Sequence, residues 1–206
     1  LTGAQFVQGK FAPGVAQYYR QITRLSAAFA VVADVAMLTM QAALKKREML
    51  SARLGDLLST LYLASMVLKQ YQDQGSPESI RPVVDWSCQY LLHQYQQAMR
   101  ELLQNLPNRP AAWALRALTF PLGGHFAMPA DTLEKQIAGL ITHDTAARKL
   151  LIEGAWLTST EHNPVGKLDE ALVMADQVEP LIASLRKAVK EKRIPDLLGI
   201  ELINAA

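Results

Sequence analysis

Residues 25–44 read LSAAFAVVADVAMLTMQAAL, with Asp34 the sole formally charged side chain, Arg20 and Arg24 before the run and Lys45, Lys46 and Arg47 after it. Apolar residues fall at every angle of a 3.6-residue helix, so the run predicts a helix that is buried all round, in protein or in lipid. About 20 apolar residues with basic flanks is also the length and dress of a membrane span. Against that stand Asp34 at the centre, Ser26, Thr39 and Gln41, and an alanine content that leaves the run only mildly hydrophobic. A carboxylate at mid-bilayer costs about 2.5–3.5 kcal/mol on insertion scales, enough to cancel several Leu or Val contributions. The run therefore reads as the central helix of a soluble bundle, and a membrane-inserted hairpin from Leu25 to Leu68 is the disfavoured reading.

Working outward, the same helix is expected to start near Val15, with Tyr18, Ile22, Leu25 and Phe29 as its first stripe, and to reach about Glu48. Ser51 either caps a second helix or lies within the first, which continues through it with a kink. In both cases Leu54, Leu57, Leu58, Leu61, Ala64, Ser65, Leu68 and Tyr71 keep the three-and-four spacing of one buried face. The DQGSP run at 73–77 stops it with glycine and proline. Ser79 is a candidate cap and Pro82 a first-turn proline for a third helix, whose stripe is Val84, Cys88, Leu91, Leu92, Tyr95, Met99, Leu102 and Leu106. After NLPNRP at 105–110, Asn108 and Pro110 start a short helix through Trp113 and Leu118.

From Phe120 the texture changes, because FPLGGHFAMP has two prolines, two glycines and no periodicity. Asp131 and Glu134 form a capping-box pattern for a helix to about Ile141. Thr142 or Asp144 caps a short one through Leu151, and residues 158–164 form a polar connector ending in Pro164. Two more helices are expected, Val165–Ala175 and Gln177–Glu191, with Leu168, Leu172, Leu181, Ile182, Leu185 and Val189 inward and Pro180 in the first turn of the latter or kinking it. Leu1–Gly14 reads as an irregular lead-in and Pro195 opens a terminal segment. No run has a period of two. The fold class is all-α: an up-and-down helical bundle around a long central helix, with a C-terminal set of shorter helices. The expected division is 1–119 for the long-helix bundle and 120–206 for the short-helix subdomain.

Half of the 206 residues are hydrophobic, ample for a core. Twenty-one basic against 19 acidic residues give a net charge of +2, too little for a nucleic-acid footprint, and 7% aromatics leave no base-stacking platform. The single cysteine, Cys88, excludes an internal disulfide and a cysteine zinc cage, which fits a reducing compartment. The opening lacks the basic start and apolar block of a secretory leader, and residue 1 is not Met, so the sequence is expected to be part of a longer polypeptide.

Chemistry-bearing constellations are sparse. Cys88 and His93, five apart, sit about 140° apart on a helix, a poor start for a nucleophile and its base. His125, His143 and His162 fall near loops but lack the paired spacing of a zinc site. Gly123-Gly124 has no following Lys-Ser/Thr, so it reads as a tight turn beside close backbone rather than a phosphate loop. Asp34 needs a partner, for which Arg53 and Arg116 are the candidates; its alternative is a general base with a raised pKa. Arg53 and Asp56 can also pair across i, i+3. The residues singled out for structural or interaction roles are Asp34, Arg53, Asp56, Arg116, His125, His162 and Asn163, and no residue is assigned to catalysis, cofactor or metal.

Three stretches together carry a resemblance: SARLGD at 51–56 with the LLSTLYLASMVLKQY that follows, NRPAAW at 108–113 with FPLGGHFAMPAD, and TEHNPVG at 160–166. With ITRLSAAFA at 22–30, they cover nearly the whole chain. In this order and spacing the sequence resembles the C-terminal helical region of the large bacterial acyl-coenzyme A dehydrogenases, which open the fatty-acid β-oxidation cycle. The resemblance implies an enzyme that uses FAD and a glutamate base to remove two hydrogens from a fatty acyl thioester. The segments for flavin and base should lie upstream, so no catalytic residue carries over. Gly124 stands where the resemblance leads one to expect an Arg before the His. What is implied is a non-catalytic accessory module of a cytoplasmic enzyme. It would serve packing on the upstream catalytic core, a homo-oligomer interface, or peripheral contact with the inner membrane or another β-oxidation enzyme. The alternative is a stand-alone helical module that binds a partner helix or an acyl chain.

Overall fold

The computed structural model describes residues 14–121 and 123–193; the lead-in expected before Gly14 and the segment opened by Pro195 lie outside them. Among the described residues the chain is all-α, with no strand. The helices are α1 Ala16–Met40, α2 Ala42–Lys46, α3 Glu48–Asp73, α4 Arg81–Asn105, α5 Arg109–Thr119, α6 Asp131–Ile141, α7 Ala146–Leu151 and α8 Pro164–Lys190. The chain divides into two compact units after Lys135, each described by itself below.

In the first unit α1, α3 and α4 run up, down and up. Tyr19 near the start of α1 hydrogen-bonds the Leu68 carbonyl near the end of α3 (3.3 Å), and Arg53 near the start of α3 pairs with Glu101 near the end of α4 (3.3 Å). The single helix expected from Val15 to Glu48 is interrupted: Gln41 sits at φ 46°, the five-residue α2 follows, and Arg47 (φ −106°, ψ 71°) separates it from α3. Unbroken, the helix would carry α3 away from α1; two local breaks, the first a strained conformation worth about 1–3 kcal/mol, let the chain fold back. Ser51 neither caps α3 nor marks a kink, since its hydroxyl donates to the Leu44 carbonyl across the break at 3.1 Å.

The long helix at the centre is α4, not the 25–44 run. No residue from Arg81 to Arg100 is exposed. Its buried stripe of Val84, Cys88, Leu92, Tyr95, Met99 and Leu102 matches the predicted one, with Leu91 half-buried beside it. Tyr95 donates to the Leu25 carbonyl of α1 at 2.9 Å, joining the two elements in the core. By contrast α1 buries one face only, through Tyr18, Ile22, Leu25, Val32, Ala36 and Met40. Val31, Met37 and Leu38 remain exposed, Leu38 at 75%. Opposite the core face of α3, Leu58, Tyr62 and Met66 are exposed at four-residue steps. The expectation that 25–44 is buried all round is thus corrected, because the described residues supply neighbours for one face of the helix only.

The DQGSP stop is as expected, with Gly75 and Ser76 both at positive φ, and Pro82 opens α4, while Ile80 rather than Ser79 occupies the cap position. Asn108 caps α5 by accepting from the Ala111 N–H at 3.1 Å.

In the second unit α7 and α8 are joined by polar ties. Arg148 pairs with Asp169, and Asp176 accepts the Asp144 N–H and lies 2.8 Å from His143 Nδ1. The cap of α7 is Thr145, whose hydroxyl accepts the Arg148 N–H at 3.0 Å, instead of Thr142 or Asp144. The two helices expected after Pro164 are one, with Pro180 inside it. Leu168 and Leu181 are exposed rather than inward, and Leu172, Ile182, Leu185 and Val189 are half-buried.

Candidate functional site

Asp34 is exposed on α1 and makes no hydrogen bond or ion pair among the described residues, so neither expected arginine is its partner. Arg53 reaches Glu101 instead of Asp56, which points to solvent. Side-chain geometry explains the choice: Glu101 on the antiparallel neighbour is held across from Arg53, whereas an i, i+3 pair on one exposed helix face gains only a few tenths of a kcal/mol. His125 is exposed and lies against the Phe126 ring (centroids 4.7 Å apart), and His162 is exposed. No group of three His, Cys, Asp or Glu gathers to hold a metal ion among the described residues. Cys88 is fully buried and its thiol is pushed up to about 12, chiefly by burial.

The segment after α5 is fastened to α4 by a residue that sequence reasoning did not single out. Buried Gln96 accepts the Phe126 N–H at 3.0 Å and donates to the Phe126 carbonyl at 3.1 Å. His93 Nδ1 lies 2.8 Å from the same carbonyl, and its Nε2 lies 3.4 Å from the Gln97 amide nitrogen. A carbonyl can only accept, so the contact with Phe126 is made by an Nδ1–H of His93. Gly124 follows from the same packing. A Cβ there would overlap the Gln96 carboxamide, with its carbon 2.6 Å away, and the Arg100 guanidinium. The glycine pair is a tight turn at close approach, with Gly123 at φ 80°.

Between the end of α4, the outer face of α5 and this turn lies a cleft of 370 Å³. Arg109, Trp113 and Arg116 stand at i, i+4 and i+7 on α5, within one helical face. Arg100 and Gln104 come from α4, and Leu103 and Phe120 form the apolar floor. No carboxylate lines it among the described residues. Arg109 donates to the Gln104 carbonyl at 2.6 Å, and no carboxylate pairs with Arg100 or Arg116 among the described residues. Three arginines thus line apolar surface with no counter-charge among the described residues.

In the second unit the connector is organised by Asn163, which is buried. Its Oδ1 accepts the Gly166 N–H at 3.1 Å, capping α8, while its Nδ2 donates to the carbonyls of Trp156 (2.9 Å) and Thr158 (3.1 Å). Gly166 packs against the same strand of backbone: an added Cβ would lie 2.8 Å from the Thr158 carbonyl carbon and 2.9 Å from the Leu157 oxygen. The Asn-Pro-Val-Gly spacing therefore encodes a cap and a close contact three residues apart. The signal for Gln96 was weaker in sequence, because nothing local distinguishes it from the other amides of α4.

The family model described as acyl-CoA dehydrogenase, C-terminal, bacterial type matches residues 1–206, the whole chain. No solved structure matches it.

Proposed function

The chain belongs to the bacterial-type C-terminal family of acyl-CoA dehydrogenases, and from that premise we propose that it is a non-catalytic helical module packed on the catalytic core of such an enzyme. The whole enzyme would carry out FAD-dependent α,β-dehydrogenation of long-chain fatty acyl-CoA in β-oxidation. The observation that carries the reading is the apolar surface of the first unit that no described residue covers: Val31, Met37 and Leu38 on α1, and Leu58, Tyr62 and Met66 on α3. Soluble chains rarely leave such residues in rows, and rows of this kind mark contact surfaces. α1 is long and apolar enough to cross a membrane by length and composition. Its buried face against α3 and α5, and Asp34 in the middle of its exposed face, favour protein as the covering partner.

The flavin belongs to the core in this reading. The 370 Å³ cleft is smaller than a flavin dinucleotide and offers a cationic rim on an apolar floor, so no step of the oxidation is assigned to residues of this chain. The module would extend the buried surface of the subunit, and a homo-oligomer would use whatever part of that surface the core leaves uncovered.

The test compares the full-length enzyme with the 206-residue chain for flavin absorbance and for acceptor reduction with a long-chain acyl-CoA. Colour and turnover in the enzyme and neither in the chain is the expected result. A colourless, inactive full-length protein would sink the reading, and so would turnover in the chain alone. Leu38→Asp with Leu58→Asp should leave the isolated chain folded and detach it from a separately expressed core; a detergent requirement of the unaltered chain would point to lipid instead.

A further inference from the structure

We propose that the arginine-lined cleft of the first unit is a binding site for a phosphate-bearing organic anion of nucleotide type, with its flat ring resting on Trp113 and its phosphates held by Arg100, Arg109 and Arg116. Like charges repel, so three guanidiniums on two helices around apolar surface cost stability unless an anion joins them. Among the described residues none is supplied: no carboxylate lines the cleft, and none pairs with Arg100 or Arg116. Guanidinium is the side chain whose planar fork matches phosphate oxygens in pairs, and three of them suit a multiply charged phosphate better than a single carboxylate.

The apolar part of the cleft specifies the rest of the ligand. Trp113 is 67% exposed at the lip, and Leu103 and Phe120 form the floor. An exposed indole one turn from each of two arginines offers stacking to a ring while the guanidiniums hold charged groups beside it. The volume of 370 Å³ lies at the lower end of the range of about 300–1,000 Å³ for small-molecule sites. The wall on the third side is fixed: Gly124 lies against Gln96 and Arg100, and the Gln96–Phe126 pair holds that segment in place. The missing side chain at position 124 leaves the space that the Arg100 guanidinium occupies.

Two sources share this chemistry, a free nucleotide and the phosphorylated nucleotide end of coenzyme A; the second rests on the proposed function. Trp113 is one of three tryptophans, so its fluorescence reports occupancy as the part of the quenching that W113F abolishes. ADP, coenzyme A and inorganic phosphate are titrated into the 206-residue chain and into the full-length enzyme at low and at high salt. Saturable quenching by ADP or coenzyme A, weakened by salt and about tenfold weaker in R116Q and R100Q, is the expected result. Coenzyme A binding tenfold tighter than ADP would assign the site to the thioester carrier, and equal affinities to a free nucleotide. Arg116 is exposed, so R116Q should keep the fold by circular dichroism; if R100Q does not, R109Q takes its place. Quenching equal to that of inorganic phosphate, quenching unchanged in the arginine variants, or quenching in the chain but not in the full-length enzyme would each overturn the proposal. The last would mean that carboxylates of the core fill the cleft.

Discussion

Gln96 and Phe126 form a closed amide pair, the side chain of one on the backbone of the other, with bonds of 3.0 and 3.1 Å in the buried interior. This pair decides where a segment without any periodicity comes to rest, and it sets one wall of the cleft. Gln96→Leu should leave the Phe126 N–H buried without an acceptor, while the carbonyl keeps His93. A loss of about 2–3 kcal/mol in urea unfolding is expected, most of it the cost of the orphaned donor. Hydrogen exchange at the Phe126 N–H should accelerate well beyond that of the α4 core; if it does not, the pair is not what holds the segment.

Asn163 and Gly166 give the second unit its sharpest sequence dependence. Gly166→Ala forces a Cβ into the Thr158 carbonyl, which is backbone and cannot rotate aside. Asn163→Ala removes a cap and two bonds to the connector at once. Cap loss alone is worth about 1 kcal/mol, and the buried carbonyls left unpaired add to it. Both variants should lower the helicity of α8 and expose the 152–163 connector to limited proteolysis. Unchanged protease resistance would show that this corner is not built as described.

The periodicity of α3 and α4, the glycine-proline stop and the Asn108 start of α5 were legible because each depends on neighbours within a few residues, whereas the cap at Asn163 was not read from the connector. The centre of the bundle was not. The 25–44 run has apolar residues on all sides, but the described residues of the first unit cover only one face of it. α4 carries glutamines that look like a surface, yet Gln89, Gln96 and Gln97 find hydrogen bonds inside the molecule. Likewise Arg109, Trp113 and Arg116 stand in plain view at helical spacing, whereas their meeting with Arg100 needs the long-range turn at Gly124. Pro180 misled for the opposite reason: one missing N–H looked decisive locally, and α8 continues through it.

Cys88 should be silent to thiol reagents in the folded chain. It is fully buried, and a thiol raised to about 12 holds almost no thiolate at neutral pH. Alkylation at pH 8 should therefore proceed at the rate of unfolding and rise with urea in step with loss of helicity. Rapid reaction in the absence of denaturant would contradict the buried placement.

Asp176 makes the second unit acid-sensitive. The Asp144 N–H and then His143 hold its carboxyl below the ordinary aspartate value of about 3.9. A depressed folded pKa means that the contribution is complete above the unfolded value and is lost as pH falls through the folded one. Protection of the Asp144 N–H against exchange should decline in that acid window, and Asp176→Asn should remove the dependence. A decline centred near the ordinary histidine range would instead assign the tie to His143.

Asp34 provides the closing test of how the first unit is used. Its neighbours at three and four residues on either side, Ala30, Val31, Met37 and Leu38, are all exposed and apolar. In the isolated chain it is a solvated carboxylate without a partner, so Asp34→Leu should change stability by no more than about 0.5 kcal/mol. Covered by a catalytic core, the same carboxylate would lose water and survive only against a cation or hydrogen-bond donors on the covering surface. Removing it would then leave that partner buried and unpaired, and association of the chain with a separately expressed core should weaken by about tenfold or more. If Asp34→Leu strengthens association instead, the covering surface is apolar throughout and the acid faces its edge. The two results, read beside unchanged stability of the isolated chain, separate a recognition role for Asp34 from a structural one.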